Sequence, residues 1–128
     1  MITRNNAELL ERLIGKLEGM HAEITALCKK SSSDAVNRFK LGFINPALAQ
    51  CNELLGKGYQ PLESFTGFNV DDVPSNSDVG FVIAQYLEAL EKLRSHNVKL
   101  TNTGWQYDLP STAQVMRAAP PGRSAKRK

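Results

Sequence analysis

Leu10, Leu13, Leu17, Met20, Ile24 and Leu27 recur at alternating spacings of three and four residues between Asn6 and Lys30. Only a helix puts such positions on one side, so this stretch is predicted as one long amphipathic helix whose apolar stripe must be covered by other elements. Asn5 or Asn6 can cap it, Glu8 and Glu11 suit the positive N-terminal end of the helix dipole, and Lys29 and Lys30 suit the negative end. Gly15 and Gly19 lie off the stripe. They either admit a close neighbour or stand exposed, at about 1 kcal/mol each.

Ser31-Ser32-Ser33 interrupts the pattern, and Ser33 or Asp34 can cap a second helix. So short a connection makes the two helices antiparallel neighbours. Val36, Phe39, Phe43, Ala47, Cys51 and Leu54 continue the helical spacing, widened by Leu48 and Leu55. The stripe places Phe39 and Phe43 in the core rather than on a base-stacking surface. Pro46 has no N–H for Gly42, so two collinear pieces, 34–44 and 46–55, are expected with a kink between them, ended by Gly56 and Gly58.

Residues 57–77 read as a long loop, with Pro61–Phe65 as a single helical turn and Asp71-Asp72 in an acidic lead-in. Tyr59, Phe65, Phe68 and Val70 are too apolar for a solvated linker, so part of the loop is expected to pack on the bundle. A third helix from Ser77 or Asp78 to about His96 faces inward with Val79, Val82, Ile83, Tyr86, Leu87, Leu90 and Leu93. Val98–Thr101 and Trp105–Leu109 alternate around Asn102-Thr103-Gly104 as a β-hairpin, with Trp105 as its plug against the helices. The predicted fold is mainly all-α: an antiparallel bundle of three long helices, the second kinked at Pro46, with a small C-terminal β-hairpin. Residues 1–110 form the domain and 111–128 a disordered basic tail.

A chain of 128 residues with 41% hydrophobic and 23% charged residues suits one globular domain and excludes global disorder. The net charge of +3 is unevenly placed. Residues 1–116 carry 11 Lys/Arg and 13 Asp/Glu, a net of −2, whereas residues 117–128 carry five cations and no acid. The basic pI of about 9.0 therefore belongs to the tail. Acids and bases interrupt every apolar run, so neither a signal-peptide core nor a membrane span is expected, and the protein reads as cytoplasmic. In an antiparallel hairpin turning near Ser32, Cys28 and Cys51 fall roughly 22 Å apart, beyond disulfide reach.

No catalytic motif stands out, and no cofactor or metal is expected. His21 and His96 have no ligand partners at metal-binding spacing, and Gly56-Lys57-Gly58 lacks the length of a phosphate-binding loop. Asp71 and Asp72 are turn residues.

The expectation is a non-enzymatic interaction or regulatory protein, acting through its helical surface and the 57–77 loop with Phe65 and Phe68, on another protein or a second copy of itself. A face holding Leu9, Ile14 and Leu48 or Leu55 could remain uncovered by the bundle. If the first and third helices run parallel, Lys29, Lys30, Arg38, Lys40, Lys92, Arg94 and Lys99 gather at one basic pole, near the exit of the tail with Arg123, Lys126, Arg127 and Lys128. The alternative is accordingly a nucleic-acid-associated accessory protein that uses this pole and tail.

Overall fold

The computed structural model describes residues 1–122. Three helices, α1 (Arg4–Lys30), α2 (Arg38–Tyr59) and α3 (Asn76–Ser95), precede a hairpin of β1 (Val98–Thr101) and β2 (Gly104–Tyr107), with a 3-10 turn at Val70–Asp72 between α2 and α3. The mainly helical bundle with a small antiparallel sheet agrees with the sequence. In α1, Leu10, Leu13, Leu17 and Ile24 are buried, and all seven residues expected to face inward from α3 are buried as well.

The caps fall elsewhere than expected. Thr3 accepts from Asn6 N–H at 3.1 Å, Asn37 from Lys40 at 2.8 Å and Ser75 from Asp78 at 3.1 Å. The reason is clearest for α2. Residues 34–36 are extended against 74–76: Val36 N–H donates to Pro74 O at 2.9 Å and Asn76 N–H to Asp34 O at 2.8 Å. Their backbone is already paired, so the helix begins only at Arg38.

Helix α2 is one element across Pro46, not two pieces. Its non-helical residue is Gly56, at φ +65°, the left-handed region that glycine enters without a Cβ penalty. The face it buries also differs from the stripe read along the sequence. Leu41, Ile44, Ala47, Leu48, Cys51 and Leu55 form the core side, while Phe39 and Phe43 are 73% and 59% exposed. Ile14, Leu48 and Leu55, considered for an uncovered face, are buried, and Leu9 packs half-buried against the core.

The helices do not alternate up, down, up. The turn after α1 meets the start of α3, with Ser77 N–H donating to Ser32 O and Asn76 Nδ2 to Ser31 O. The start of α1 meets the hairpin beyond α3, with Ile2 N–H donating to Asp108 O at 3.2 Å. Helices α1 and α3 are therefore antiparallel, and α2 runs parallel to α3, with its start beside the start of α3 and Tyr59 beside His96. A parallel neighbour must be reached by a crossover along the helix, roughly 30 Å for a helix of this length. The 57–77 loop is that crossover.

It returns along α2 on two asparagine side chains. Asn52 Nδ2 donates to Phe65 O at 2.9 Å. Asn45 holds both backbone groups of Phe68, donating to its carbonyl and accepting from its N–H, each at 2.8 Å. Phe65 and Phe68 sit half-buried, edge to face at 5.2 Å, and Phe65 leans on Tyr86, whose hydroxyl donates to Asn52 Oδ1 at 2.6 Å. Burial pushes the Tyr86 hydroxyl upward in pKa.

Strands β1 and β2 pair from Val98 with Tyr107 to Thr101 with Gly104. The plug is Tyr107, 1% exposed, together with Leu109, whereas Trp105 is half-buried. Tyr107 stands on the pleat face turned toward α1, and its hydroxyl donates to Glu11 Oε2. Burial and the Glu11 carboxylate both push its pKa up.

Residues 111–122, read in the sequence as the start of a disordered tail, pack on the fold. Tyr107 N–H donates to Met116 O at 2.9 Å and Ala118 N–H to Trp105 O at 3.2 Å, so this segment lines the free edge of β2. Arg94 fastens its end: 2% exposed, it lies 2.7 Å from the equally buried Glu91 carboxylate and donates through Nη1 to the carbonyls of Ala119 and Pro120. The remainder of the expected tail, residues 123–128, lies outside the described residues.

Candidate functional site

Among the three helices, α2 has the longest run without charge. Between Lys40 and Glu53 the helix carries no charged residue, and its solvent side presents Phe39, Gly42, Phe43, Pro46, Ala49 and Gln50. Phe39 and Phe43, four apart and so one above the other, pack edge to face with ring centroids 5.1 Å apart and planes at 70°. Fully covering a phenylalanine is worth roughly 1.5–3 kcal/mol, so leaving two adjacent ones in water sets aside a substantial association energy. Gly42 and Pro46 keep the middle of the face low, and a Cβ placed at Gly42 would meet only open space.

Beside the aromatic pair lies an apolar groove between α1 and α2 of about 230 Å³, lined by Gly19, Met20, Ile24, Phe43 and Ile44. Lys40 and Glu23 close one side through an ion pair of 2.9 Å. Gly19 does not admit a neighbouring helix here; it forms part of the groove floor, and Gly15 faces open space. Toward opposite ends of the same outer face Arg38 and Glu53 are both exposed, and neither makes an ion pair among the described residues.

The expected basic pole is divided by the antiparallel packing of α1 and α3. Lys29, Lys30, Arg38 and Lys40 remain together at the pole shared by the end of α1 and the start of α2, with Lys40 already engaged by Glu23. Lys92, Arg94 and Lys99 stand at the other pole, where Arg94 is buried against Glu91 and Lys99 lies 3.7 Å from Asp108. Phe65 and Phe68 are spent on holding the crossover to α2 and α3, and Arg123, Lys126, Arg127 and Lys128 lie outside the described residues.

Phe39 and Phe43, expected in the core, thus stand on the solvent side of α2. The available signal was the uncharged run on a helix with two competing apolar stripes, which leaves one of them uncovered whichever is chosen. Among the described residues no helix is long and apolar enough to cross a membrane, and no group of three His, Cys, Asp or Glu residues could hold a metal ion. Cys28 and Cys51 are both free, and burial pushes the Cys51 thiol up to about 12. No protein family, curated protein or solved structure matches the chain.

Proposed function

We propose that the chain is a non-enzymatic interaction or regulatory protein that works through its helical surface, with the outer face of α2 as its docking element. The observation that carries this reading is the exposed Phe39–Phe43 pair at the head of the uncharged run 41–52 of the helix. Single exposed apolar residues are ordinary on a protein surface, but a contiguous aromatic face beside an apolar groove is characteristic of a protein-binding surface. The 57–77 loop, whose aromatics are engaged within the fold, serves to present α2 rather than to bind. A cytoplasmic location accords with two free thiols, since a reducing compartment keeps them so.

A photoreactive amino acid at Gln50 of the full-length chain, irradiated in the native cell, tests the reading. The expected product is a discrete protein adduct that disappears in the Phe39→Ser/Phe43→Ser variant. No adduct, or one indifferent to those substitutions, would overturn it, and an adduct with nucleic acid would replace it by the accessory-protein alternative.

A further inference from the structure

The outer face of α2 has a partner chemistry written into its ends. Arg38 and Glu53, opposite in charge and both exposed, lie equally far on either side of the Asn45–Pro46 peptide and flank the uncharged run 41–52, with Lys40, which bounds that run on the Arg38 side, already paired with Glu23. Gly42 and Ala49 are likewise equidistant from that peptide, and both are small and exposed. A helix with this arrangement is complementary to itself when reversed. Two copies of α2 packed antiparallel about a two-fold axis at Asn45–Pro46 bring Arg38 of each opposite Glu53 of the other and Gly42 opposite Ala49, so that the backbones approach where side chains are smallest. The same axis brings Phe39 and Phe43 of both copies to the borders of the contact. A closed two-fold interface of this kind uses one patch twice and leaves neither charge unanswered.

We infer that the occupant of the α2 face is a second copy of this chain, docked as an antiparallel α2–α2 pair with reciprocal Arg38–Glu53 contacts. The inference rests on the proposed docking role of α2 and names its partner. Charge complementarity selects the second copy over an unrelated helix, because both members of each ion pair are supplied by this one face. It also sets the register, since a shift of one helical turn would place Arg38 against the uncharged middle at Ala49 in one direction and against Lys57, a like charge, in the other.

Sedimentation equilibrium on the full-length chain tests it with variants that spare the monomer. Gly42→Gln adds bulk into open space of the monomer, so it leaves the fold and its thermal transition unchanged while wedging the facing helix apart. The expected result is a wild-type dimer, a monomeric Gly42→Gln variant, and about tenfold weaker association for Arg38→Glu or Glu53→Arg alone, because each places two like-charge pairs across the axis. An equimolar mixture of Arg38→Glu with Glu53→Arg restores both opposite-charge pairs and is expected to recover the association as a heterodimer. A dimer indifferent to Gly42→Gln, or a mixture no tighter than its components, would overturn the arrangement. A strictly monomeric wild type would overturn self-pairing while leaving the docking role of α2 standing wherever the Gln50 adduct forms with a different protein.

Discussion

Helix α2 has a phenylalanine pair on each of two sides, one supplied by the crossover and one its own, and the two pairs are nearly alike in geometry. Phe65 and Phe68 meet edge to face at 5.2 Å above Asn52 and Asn45, and Phe39 and Phe43 do so at 5.1 Å on the outer surface. The difference is in what satisfies the backbone around them. The first pair belongs to an irregular segment that would leave peptide groups unpaired under its own rings, and two asparagine amides answer them. The second belongs to a helix whose peptide groups need no outside partner, so nothing in the fold is drawn over it. An aromatic pair is not in itself a sign of burial; the hydrogen-bonding demand of the chain that carries it decides.

On that contrast, removing the amides costs most. Asn45→Ala/Asn52→Ala deletes three bonds to the crossover and orphans the Tyr86 hydroxyl, which is expected to lower urea-unfolding stability by about 3 kcal/mol. Next comes Phe65→Ala, half-buried against Tyr86, at roughly 2 kcal/mol in the same measurement. A pH-dependent effect of about the same size belongs to the covered side alone. The Cys51 thiol, raised from 9.0 to about 12 by burial, binds its proton more tightly in the folded chain, so its contribution is complete below pH 9.0 and is lost as the pH rises through about 12. Urea melts at about pH 8 and about pH 10.5 are expected to show a loss that Cys51→Ala reduces. Least of all, Phe39→Ser is expected to change the stability of the monomer by within about 0.5 kcal/mol, and a loss as large as that of Phe65→Ala would erase the distinction between the two pairs.

The legibility of the chain follows the same division. Helix α1 has one apolar stripe and a charged remainder, and α3 has one dominant stripe beside an uncharged stretch, 79–87, from which only Phe81 stands out, so periodicity alone marks their buried sides. In α2 the stripe through Phe39, Phe43 and Ala47 competes with one through Leu41, Ile44 and Leu48, and no charge between 41 and 52 marks the outside. The choice was made by tertiary packing, through the crossover on one flank and α1 on the other. The direction of α3 is hidden in the sequence for a related reason. Short turns imply alternation, and only the length of the 57–77 segment hinted that the chain travels back along α2 before the third helix begins. The docking of residues 111–122 left a single trace, Arg94 on the inward side of a helix among leucines, because its carbonyl partners bear no sequence signal of their own.

That arginine also orders events in time. A nascent chain that has emerged as far as Ser95 already contains all three helices, yet the guanidinium destined for the interior still lacks the Ala119 and Pro120 carbonyls, some 25 residues further on. Burying it before they arrive would leave a cation with donors unanswered, at a cost of several kcal/mol. The three helices are thus complete in the emerging chain before the partners of Arg94 exist, and its interior place becomes favourable only once residues 119 and 120 reach it.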